Sequence, residues 1–246
     1  MKQLILDFLP PAPRTFDDFV RGENAELLFQ LGQWAQGDVR ALYLWGESGA
    51  GKSHLLSASA ARLNQMSSAA RLNQITSTAQ LNQMSGEARP DSAQSVHHIN
   101  ARTEMLPQQI APDAALLVDN VESLDAEQQI VLFDHYNTIR EGGGRILVSG
   151  HLPPMLLPLR DDLRTRLGWG LVYQLKPLSD ADKIAALQRR ARHLGFELNT
   201  ELGEYLLLHA ERDLPNLYRQ LESINTLSLS KQKPVTLFLL REALKN

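Results

Sequence analysis

The sequence lacks several features, and each absence narrows what the protein can be. None of its 246 residues is cysteine, which excludes disulfide bonds and thiolate metal sites and is typical of a cytosolic protein. No apolar run approaches the roughly 18 residues that a membrane-spanning helix needs. The N-terminus has no charged segment followed by a sustained apolar core and a cleavage site, so we expect no signal peptide. We therefore expect a cytoplasmic protein with no membrane partner.

Excess charge of either sign is also missing. The formal net charge is −3, from 25 basic and 28 acidic residues, which argues against a large nucleic-acid-binding surface because such surfaces are strongly basic. Hydrophobic residues make up 43% and charged residues 22% of the chain, as in an ordinary globular protein. The length allows one large domain or two smaller ones.

The motif that organises the chain occupies residues 46–53. Its letters, GESGAGKS, match G-x-x-x-x-G-K-[ST] at every fixed position. The apolar run Ala41–Trp45 has the length of a strand and precedes the motif, and residues 54–63 have the composition of a helix. A glycine-rich turn rarely matches by chance in this context. The motif therefore predicts a site for a nucleoside triphosphate or its product.

Each part of this phosphate loop has a physical task. The glycines let backbone N–H groups approach phosphate oxygens, which a Cβ would obstruct, and the next helix adds the positive end of its dipole. Lys52 can reach the β- and γ-phosphates, and the Ser53 hydroxyl can ligate Mg²⁺. The predicted nucleotide-binding residues of this segment are Gly46, Gly49, Ala50, Gly51, Lys52, Ser53 and His54.

Two segments precede the phosphate loop. Residues 1–13 are apolar and end in three prolines, which predicts an extended arm. Within the arm, QLILDF resembles the hexapeptide by which bacterial replication proteins bind the sliding clamp, although a first strand packed on the protein body fits the pattern equally well. Phe16, Phe19 and Val20 follow, and they are either core residues or a wall against a base. The residues that match the clamp hexapeptide are Gln3, Leu4, Leu6 and Phe8.

The rest of the pattern predicts an α/β domain with a parallel five-stranded sheet, followed by a small all-helical lid. The apolar runs are typical of buried parallel strands. From Ser179 onward only helical patterns remain, so we place the boundary near Pro177. The predicted strands are Ala41–Trp45, Val96–Asn100, Ala114–Asp119, Arg145–Ser149 and Leu171–Leu175.

Polar residues end two of these strands. Asp119 can hold Mg²⁺ through water opposite the phosphate loop. Asn120 stands where hydrolysing proteins of this layout usually have a second acid. An amide can hydrogen-bond the attacking water but cannot take its proton, so intrinsic hydrolysis should be slow. Ser149 either reaches the γ-phosphate or the water, or caps a turn as a strand-end hydroxyl.

A helix is predicted between the third and fourth strands. Asp125 and Gln128, three residues on, resemble a capping box at its start. The glycines at positions 142–144 end it. Its predicted apolar face consists of Ile130, Phe133, Tyr136 and Ile139.

An insertion occupies roughly residues 60–90. The letters RLNQ recur as RLNQ and QLNQ with a period of nine, which places successive leucines on opposite sides of a helix. No continuous apolar stripe results, so the repeat is neither a coiled coil nor a solenoid. We interpret it as a low-complexity insertion that prolongs the phosphate-loop helix, without a function of its own.

Together these features resemble an AAA+ ATPase module, and most closely the DnaA regulatory inactivator Hda family. The letters TFDDFVRGEN resemble the entry segment that lies beside the adenine in DnaA. The Asp119-Asn120 pair resembles the family's replacement of two acids. Arg166–Gly170 (RLGWG) with Lys176–Asp180 resembles the arginine-finger segment. The chain also ends after the lid, where DnaA would continue into a helix-turn-helix domain, so we expect no sequence-specific DNA binding.

The resemblance implies a regulator of replication initiation. Residues 1–13 would bind the sliding clamp, the β subunit of DNA polymerase III. Residues 14–177 would form the AAA+ domain with ATP or ADP and Mg²⁺, in contact with Phe19 and Val20. Residues 178–246 would form the lid. Arg166 would enter the active site of ATP-loaded DnaA and stimulate hydrolysis.

The sequence leaves four points open. Arg166 could instead form a salt bridge with Asp161 or Asp162. The lid position that supplies a second phosphate-sensing arginine in the family falls on Pro215, near the start of a predicted helix. Neither Arg212 nor Arg219 aligns with that position, so nucleotide sensing by the lid is in doubt. The function has two alternatives: an autonomous ATPase, such as a helicase loader, and a structural module with permanently bound nucleotide. Whether the protein forms a homo-oligomer is also left open.

Overall fold

The computed structural model describes residues 15–81 and 94–244. The predicted clamp-binding residues Gln3, Leu4, Leu6 and Phe8 lie outside the described residues. The chain divides into two compact units. The first unit contains the residues up to Phe19, Ala25–Glu47 and Gly51–Leu175, and the second contains Val20–Asn24, Ser48–Ala50 and the chain from Lys176 onward.

Five parallel strands form one sheet in the first unit, which confirms the predicted fold class. The strands, in chain order, are β1 (Ala41–Trp45), β2 (Val96–Asn100), β3 (Ala115–Asp119), β4 (Arg145–Gly150) and β5 (Leu171–Gln174). They lie in the order β2-β3-β4-β1-β5, and each neighbouring pair is parallel. Each strand bound differs from the sequence prediction by one residue at most.

The register of the central strands determines where polar side chains meet. Val118 of β3 lies opposite Val148 of β4, and Tyr43 of β1 lies opposite Val148 on the other side. The next residues along β3 and β4, Asp119 and Ser149, therefore share the carboxyl edge of the sheet with the end of β1. In parallel α/β sheets this edge is where ligands bind.

The core of the first unit forms because its central strands β1, β3 and β4 are mostly apolar on both faces. All five residues of β3 are buried, as expected for a parallel strand covered on both sides. Helices pack against the sheet, and Leu132 and Leu163 are fully buried in one cluster with the strand residues. The helices of this unit are α1 (Ala25–Gln36), α2 (Lys52–Leu81), α3 (Ala126–Gly142) and α4 (Asp161–Leu167), with 3₁₀ turns at Val121–Ser123 and Pro154–Leu156.

Helix α3 differs from its sequence prediction in two details. Asp125 caps the helix as predicted, because its Oδ1 accepts the Gln128 N–H at 2.8 Å. The Gln128 side chain does not return to the cap; its Oε1 accepts the backbone N–H of Leu106. Ile130, predicted on the apolar face, is 46% exposed. The buried residues of α3 are Gln128, Gln129, Leu132, His135, Tyr136 and Ile139.

Helix α2 carries the first part of the predicted insertion. The helix that begins at Lys52 continues to Leu81, so the insertion prolongs it. Leu63 is 3% exposed and is its last buried residue before position 70, whereas residues 64–66, 68 and 69 are exposed. An exposed prolongation agrees with a repeat that builds no apolar face.

The second unit is helical from Lys176 onward. Its core contains fully buried Leu187, Leu206, Leu217 and Leu221 among its members. Each helix begins at a capping residue whose side chain accepts a backbone N–H, namely Ser179, Asn199, Asp213 and Thr236. No helix in the described residues is long and apolar enough to cross a membrane. The helices are α5 (Asp180–His193), α6 (Thr200–His209), α7 (Leu214–Lys231) and α8 (Leu237–Ala243).

Candidate functional site

The phosphate loop joins β1 to α2 and needs glycine at two positions for different reasons. A Cβ on Gly46 would lie 2.6 Å from the carbonyl oxygen of Leu175, which is backbone and cannot move aside. Gly51 has a φ of +108°, and a Cβ there would lie 2.8 Å from the Phe19 ring. Packing around the loop therefore requires glycine at both positions, in addition to any requirement from phosphate binding.

Lys52 is the first residue of α2, and its side chain extends back toward the start of the phosphate loop. Its Nζ donates to the carbonyl oxygens of Gly46 and Glu47 at 2.7 and 2.8 Å, and the residue is 8% exposed. Burial lowers the pKa of Lys52, and the carboxylates of Glu122 and Asp119 act in the opposite direction. An ammonium has three N–H donors, so one remains for a phosphate oxygen.

The loop as a whole fits an anionic ligand. Within the described residues, the backbone N–H groups of residues 47–51 donate no hydrogen bond to the protein. They are followed by the N-terminus of α2, a helix of 30 residues. Unpaired N–H groups and the positive end of a helix dipole are the donors that phosphate groups prefer. Ser53, the predicted Mg²⁺ ligand, is exposed on the first turn of this helix.

Phe19 lies on the phosphate loop and not in the sheet core. Its ring is the group that a Cβ on Gly51 would approach most closely. The ring is also tilted against the ring of His54, with 5.6 Å between centroids. A ring nitrogen of His54 lies 2.8 Å from the carbonyl oxygen of Thr15, which ties the entry segment to α2. Phe19 and Val20 are both partly exposed, and Val20 belongs to the second unit.

Asp119 and Ser149 contact each other directly at the carboxyl edge of the sheet. The Ser149 hydroxyl donates to Asp119 Oδ1 and accepts the backbone N–H of Asn120 at 3.3 Å. Asp119 is 3% exposed and Ser149 is fully buried. The Ser149 hydroxyl thus links the ends of two neighbouring strands. Its predicted contact with a phosphate or a water stays a prediction.

Asn120 is held by a residue that sequence reasoning missed. It has a left-handed backbone, with φ 59° and ψ 51°, a conformation that Asn tolerates better than most residues. Its Nδ2 donates to Oδ1 of Asn100, at the end of β2, over 3.2 Å. The signal in the sequence was the polar end of an apolar strand, as at Asp119. Because β2 and β3 are adjacent and parallel, two such ends must lie side by side.

Glu122 is a second residue that the sequence did not identify. Its Oε1 lies 3.2 Å from Nδ1 of His151 and 4.0 Å from Arg102. Its Oε2 is buried without a hydrogen-bond partner in the described part of the chain. The Glu122 carboxylate also has the larger of the two acidic effects that oppose the lowering of the Lys52 pKa by burial. The order of residues along the chain could not predict this, because the three side chains come from different loops.

Arg166 and the two arginines that precede it, Arg160 and Arg164, have different partners. Arg164 pairs with Asp161, and Arg160 pairs with Asp162 at 2.7 Å. Arg166 makes no ion pair with any described residue. Its Cζ lies 3.9 Å from the centroid of the Trp169 ring and 5.2 Å from that of Phe133. The predicted alternative of a salt bridge to Asp161 or Asp162 is therefore not the one that this structure adopts.

The start of α7 carries the lid position in question. Pro215 lies in its first turn, as predicted, where a missing N–H costs nothing. Arg212 forms an ion pair with Asp180, and Arg219 lines an open surface pocket with Glu222. The guanidinium of Arg212 is therefore paired with a carboxylate of the same unit.

Comparison with models of protein families shows which family this chain belongs to. Residues 12–174 match the family model of the bacterial DnaA ATPase domain, and residues 180–244 match that of the Hda lid domain. The chain belongs to the DnaA-related AAA+ family, Hda branch. This Hda-type protein thus combines an ATPase domain related to the replication initiator DnaA with the lid of a DnaA-related replication protein.

Solved structures agree on the fold. Domain III of DnaA from Thermotoga maritima superposes with a TM-score of 0.68 at 20% identity, covering 96% of this chain and 97% of that one. AMPPCP-bound DnaA from Aquifex aeolicus gives a TM-score of 0.66 at 20% identity, covering 90% and 67%. The RuvB Holliday-junction branch-migration motor from Thermotoga maritima gives 0.63 at 14%, covering 95% and 72%. At these identities the likeness shows the AAA+ fold alone.

Proposed function

We propose that this Hda-type protein regulates replication initiation by stimulating ATP hydrolysis on DnaA. Bound to the DNA-loaded sliding clamp, it docks on ATP-loaded DnaA and supplies Arg166 to the DnaA active site. Hydrolysis then converts the initiator to its ADP form. The observation that carries this proposal is the state of Arg166, which has a defined position yet no carboxylate partner among the described residues.

An arginine donated in trans needs a charge that is not already neutralised. A guanidinium paired with a carboxylate would have to break that pair before it could bind a phosphoryl group. Arg164 is in that situation and Arg166 is not. The planar fork of Arg166 can bind two oxygens of the transferring group and offset the charge that develops on them.

The protein's own nucleotide site serves a supporting role in this proposal. ATP or ADP with Mg²⁺ would lie on the phosphate loop, as AMPPCP binding by DnaA from Aquifex aeolicus suggests. Bound Mg²⁺ would neutralise phosphate charge. Lys52 would bind the phosphates, Ser53 and Asp119 would hold the cation, and Phe19 and Val20 would contact the base. Residues Gly46, Gly49, Ala50, Gly51 and His54 would complete the site.

Hydrolysis of this protein's own nucleotide should be slow. Asn120 has an amide that cannot accept a proton from water, and that amide already donates to Asn100. Ser149 is engaged by Asp119. The nucleotide would therefore maintain a docking-competent conformation, and the reaction would take place on the partner.

Clamp binding rests on the N-terminal hexapeptide. Gln3 would hydrogen-bond at one end of an apolar pocket, while Leu4, Leu6 and Phe8 would supply the apolar contacts. Attachment to a clamp on DNA would limit the activity to the period after DNA synthesis. The domain division into an arm, residues 14–177 and residues 178–246, and the cytoplasmic location, are part of the same proposal.

The test is the rate of ATP hydrolysis by DnaA, measured with and without this protein and with and without DNA-loaded clamp. The proposal expects acceleration only when both are present. A complete phosphate loop also fits an autonomous ATPase such as a helicase loader. Multiple turnovers by the isolated protein, with no effect on DnaA, would favour that alternative and end the regulator proposal.

A further inference from the structure

Trp169 has an unusual environment for a large aromatic residue. It is 56% exposed, and two guanidinium groups lie over its ring: Arg166, at 3.9 Å from the centroid, and Arg140, at 5.2 Å. The other two tryptophans are more enclosed, and Trp34 is fully buried. Exposing half of an indole costs hydrophobic stabilisation. Its position therefore calls for a reason outside core packing.

The backbone explains how Trp169 reaches Arg166. Helix α4 ends at Leu167, and Gly168 follows as its C-cap, with its N–H on the carbonyl oxygen of Arg164. The N–H of Trp169 then donates to the carbonyl oxygen of Arg166 at 3.1 Å. This turn brings residue 169 back beside residue 166. The contact between Trp169 and Arg166 is thus local, because a turn of four residues, 166–169, sets it.

The stack holds the Arg166 side chain without neutralising it. A cation over an aromatic face is attracted by the ring quadrupole, but the ring offers no competing acceptor for the N–H donors. Phe133 of α3 contributes a second ring, 5.2 Å from Arg166. Nη1 of Arg166 is buried and has no hydrogen-bond partner in the described residues. A buried donor without an acceptor is costly, so the stacked guanidinium keeps unused hydrogen-bonding capacity.

We propose that Trp169 is the positioning residue for Arg166: its ring fixes the guanidinium, unpaired, in the orientation that enters the partner's phosphoryl-transfer site. This inference rests on the proposed function, because it assigns a role within the same reaction. Trp169 acts through Arg166 and does not itself touch the nucleotide. Its loss should therefore lower the rate of the chemical step and leave docking unchanged.

The first test measures the stack without any partner. Acrylamide quenching of tryptophan fluorescence is compared for wild type, Arg166→Ala and Arg164→Ala. Removing Arg166 uncovers the Trp169 ring, so the quenching constant should rise, while Arg164→Ala should match wild type because Arg164 contacts Met155 and Asp161 instead. Equal quenching in all three proteins would overturn the proposal.

The second test is single-turnover hydrolysis of ATP on DnaA with DNA-loaded clamp, as a function of the concentration of this protein. Trp169→Leu keeps apolar volume without a π-face, and should lower the plateau rate about 10- to 100-fold with the half-saturating concentration within about twofold. Trp169→Phe should recover a plateau within about threefold of wild type. A wild-type plateau for Trp169→Leu, or a defect confined to half-saturation, would overturn the proposal.

Arg166→Ala in the same assay separates the two claims. If wild type accelerates hydrolysis, Arg166→Ala does not, and Trp169→Leu behaves as wild type, then Trp169 has no positioning role while the proposed function stands. If Arg166→Ala accelerates hydrolysis as well as wild type does, the proposed function itself fails, whatever Trp169 does.

Discussion

At the scale of single residues, the candidate site depends on a few charged groups whose partners are known. Lys52 is buried and bonded to two carbonyl oxygens of its own loop. Arg166 lies over the rings of Phe133 and Trp169, with no carboxylate partner among the described residues. In the proposed function, Lys52 binds a phosphate of this protein's own nucleotide, and Arg166 binds the phosphoryl group of a partner. Both proposals depend on a positive charge that is held in place and not paired with a carboxylate.

Lys52 provides a direct test of the nucleotide site. Lys52→Ala should remove most of the affinity for ADP, because the loop glycines supply only dipoles where the lysine supplies a full charge. Bound ADP raises the free energy of unfolding by RT ln(1 + [L]/Kd), and the melting temperature rises with it. Differential scanning calorimetry at saturating ADP should show this increase for wild type and for Lys231→Ala, whose ammonium pairs with Glu242 in the lid. Equal stabilisation of Lys52→Ala would disprove the assignment.

The sequence identified the residues whose role depends on a local motif. The phosphate loop and Asp119 are predicted from letters and spacing, and Arg166 is predicted from the family resemblance. Asn100, Glu122 and the ring of Trp169 are not, because their significance arises from strand order and from side chains that meet across loops. A neighbouring strand is not visible in a sequence until the sheet order is known.

At the scale of secondary-structure elements, the prediction was accurate for strands and less so for helix faces. Segments of strand length that alternate with helical patterns predict a parallel sheet, so β1 to β5 were located to within one residue. Helix α3 shows the limit: its cap at Asp125 was right, but Ile130 is exposed and Gln128 is buried. Helical spacing alone cannot tell which of two overlapping stripes faces the sheet when both contain polar residues.

Gln128 tests this interpretation of α3. Gln128→Ala should lower the free energy of unfolding by about 1–3 kcal/mol, because it leaves the buried N–H of Leu106 without an acceptor. Urea unfolding followed by circular dichroism measures the change. Glu127→Ala, the exposed neighbour on the same turn, should change the stability by roughly 0.5 kcal/mol at most. A loss for Gln128→Ala no larger than that of the control would show that the side-chain bond contributes little.

At the scale of the whole molecule, the chain has two units of different composition. One is an α/β ATPase domain with a parallel sheet, and the other is a helical lid. The family models match nearly all of this chain. The start of the RLNQ repeat, at residues 64–66, 68 and 69, is an exposed part of α2. The recognition of the family came from motifs at the carboxyl edge of the sheet and from the finger segment.

The N-terminal arm should determine attachment to the clamp independently of the nucleotide. Leu6 and Phe8 are proposed as anchors, and anchors of this kind typically cost about 2 kcal/mol or more when truncated. The double variant Leu6→Ala, Phe8→Ala should lose measurable clamp binding in surface plasmon resonance and keep its affinity for ADP. Clamp affinity within about twofold of wild type would reassign the arm as an ordinary first strand.

The central claim is that Arg166 acts on a partner's nucleotide, and one measurement tests it most directly. DnaA loaded with labelled ATP is mixed with DNA-loaded clamp and either wild-type protein, Arg166→Ala or Arg164→Ala, and the rate of hydrolysis is recorded. Arginine fingers contribute about 10³–10⁵ in rate in other nucleotide hydrolases. We expect Arg166→Ala to lose the stimulation while keeping its ADP and clamp affinity, and Arg164→Ala to retain most of it. Wild-type stimulation by Arg166→Ala would contradict the account.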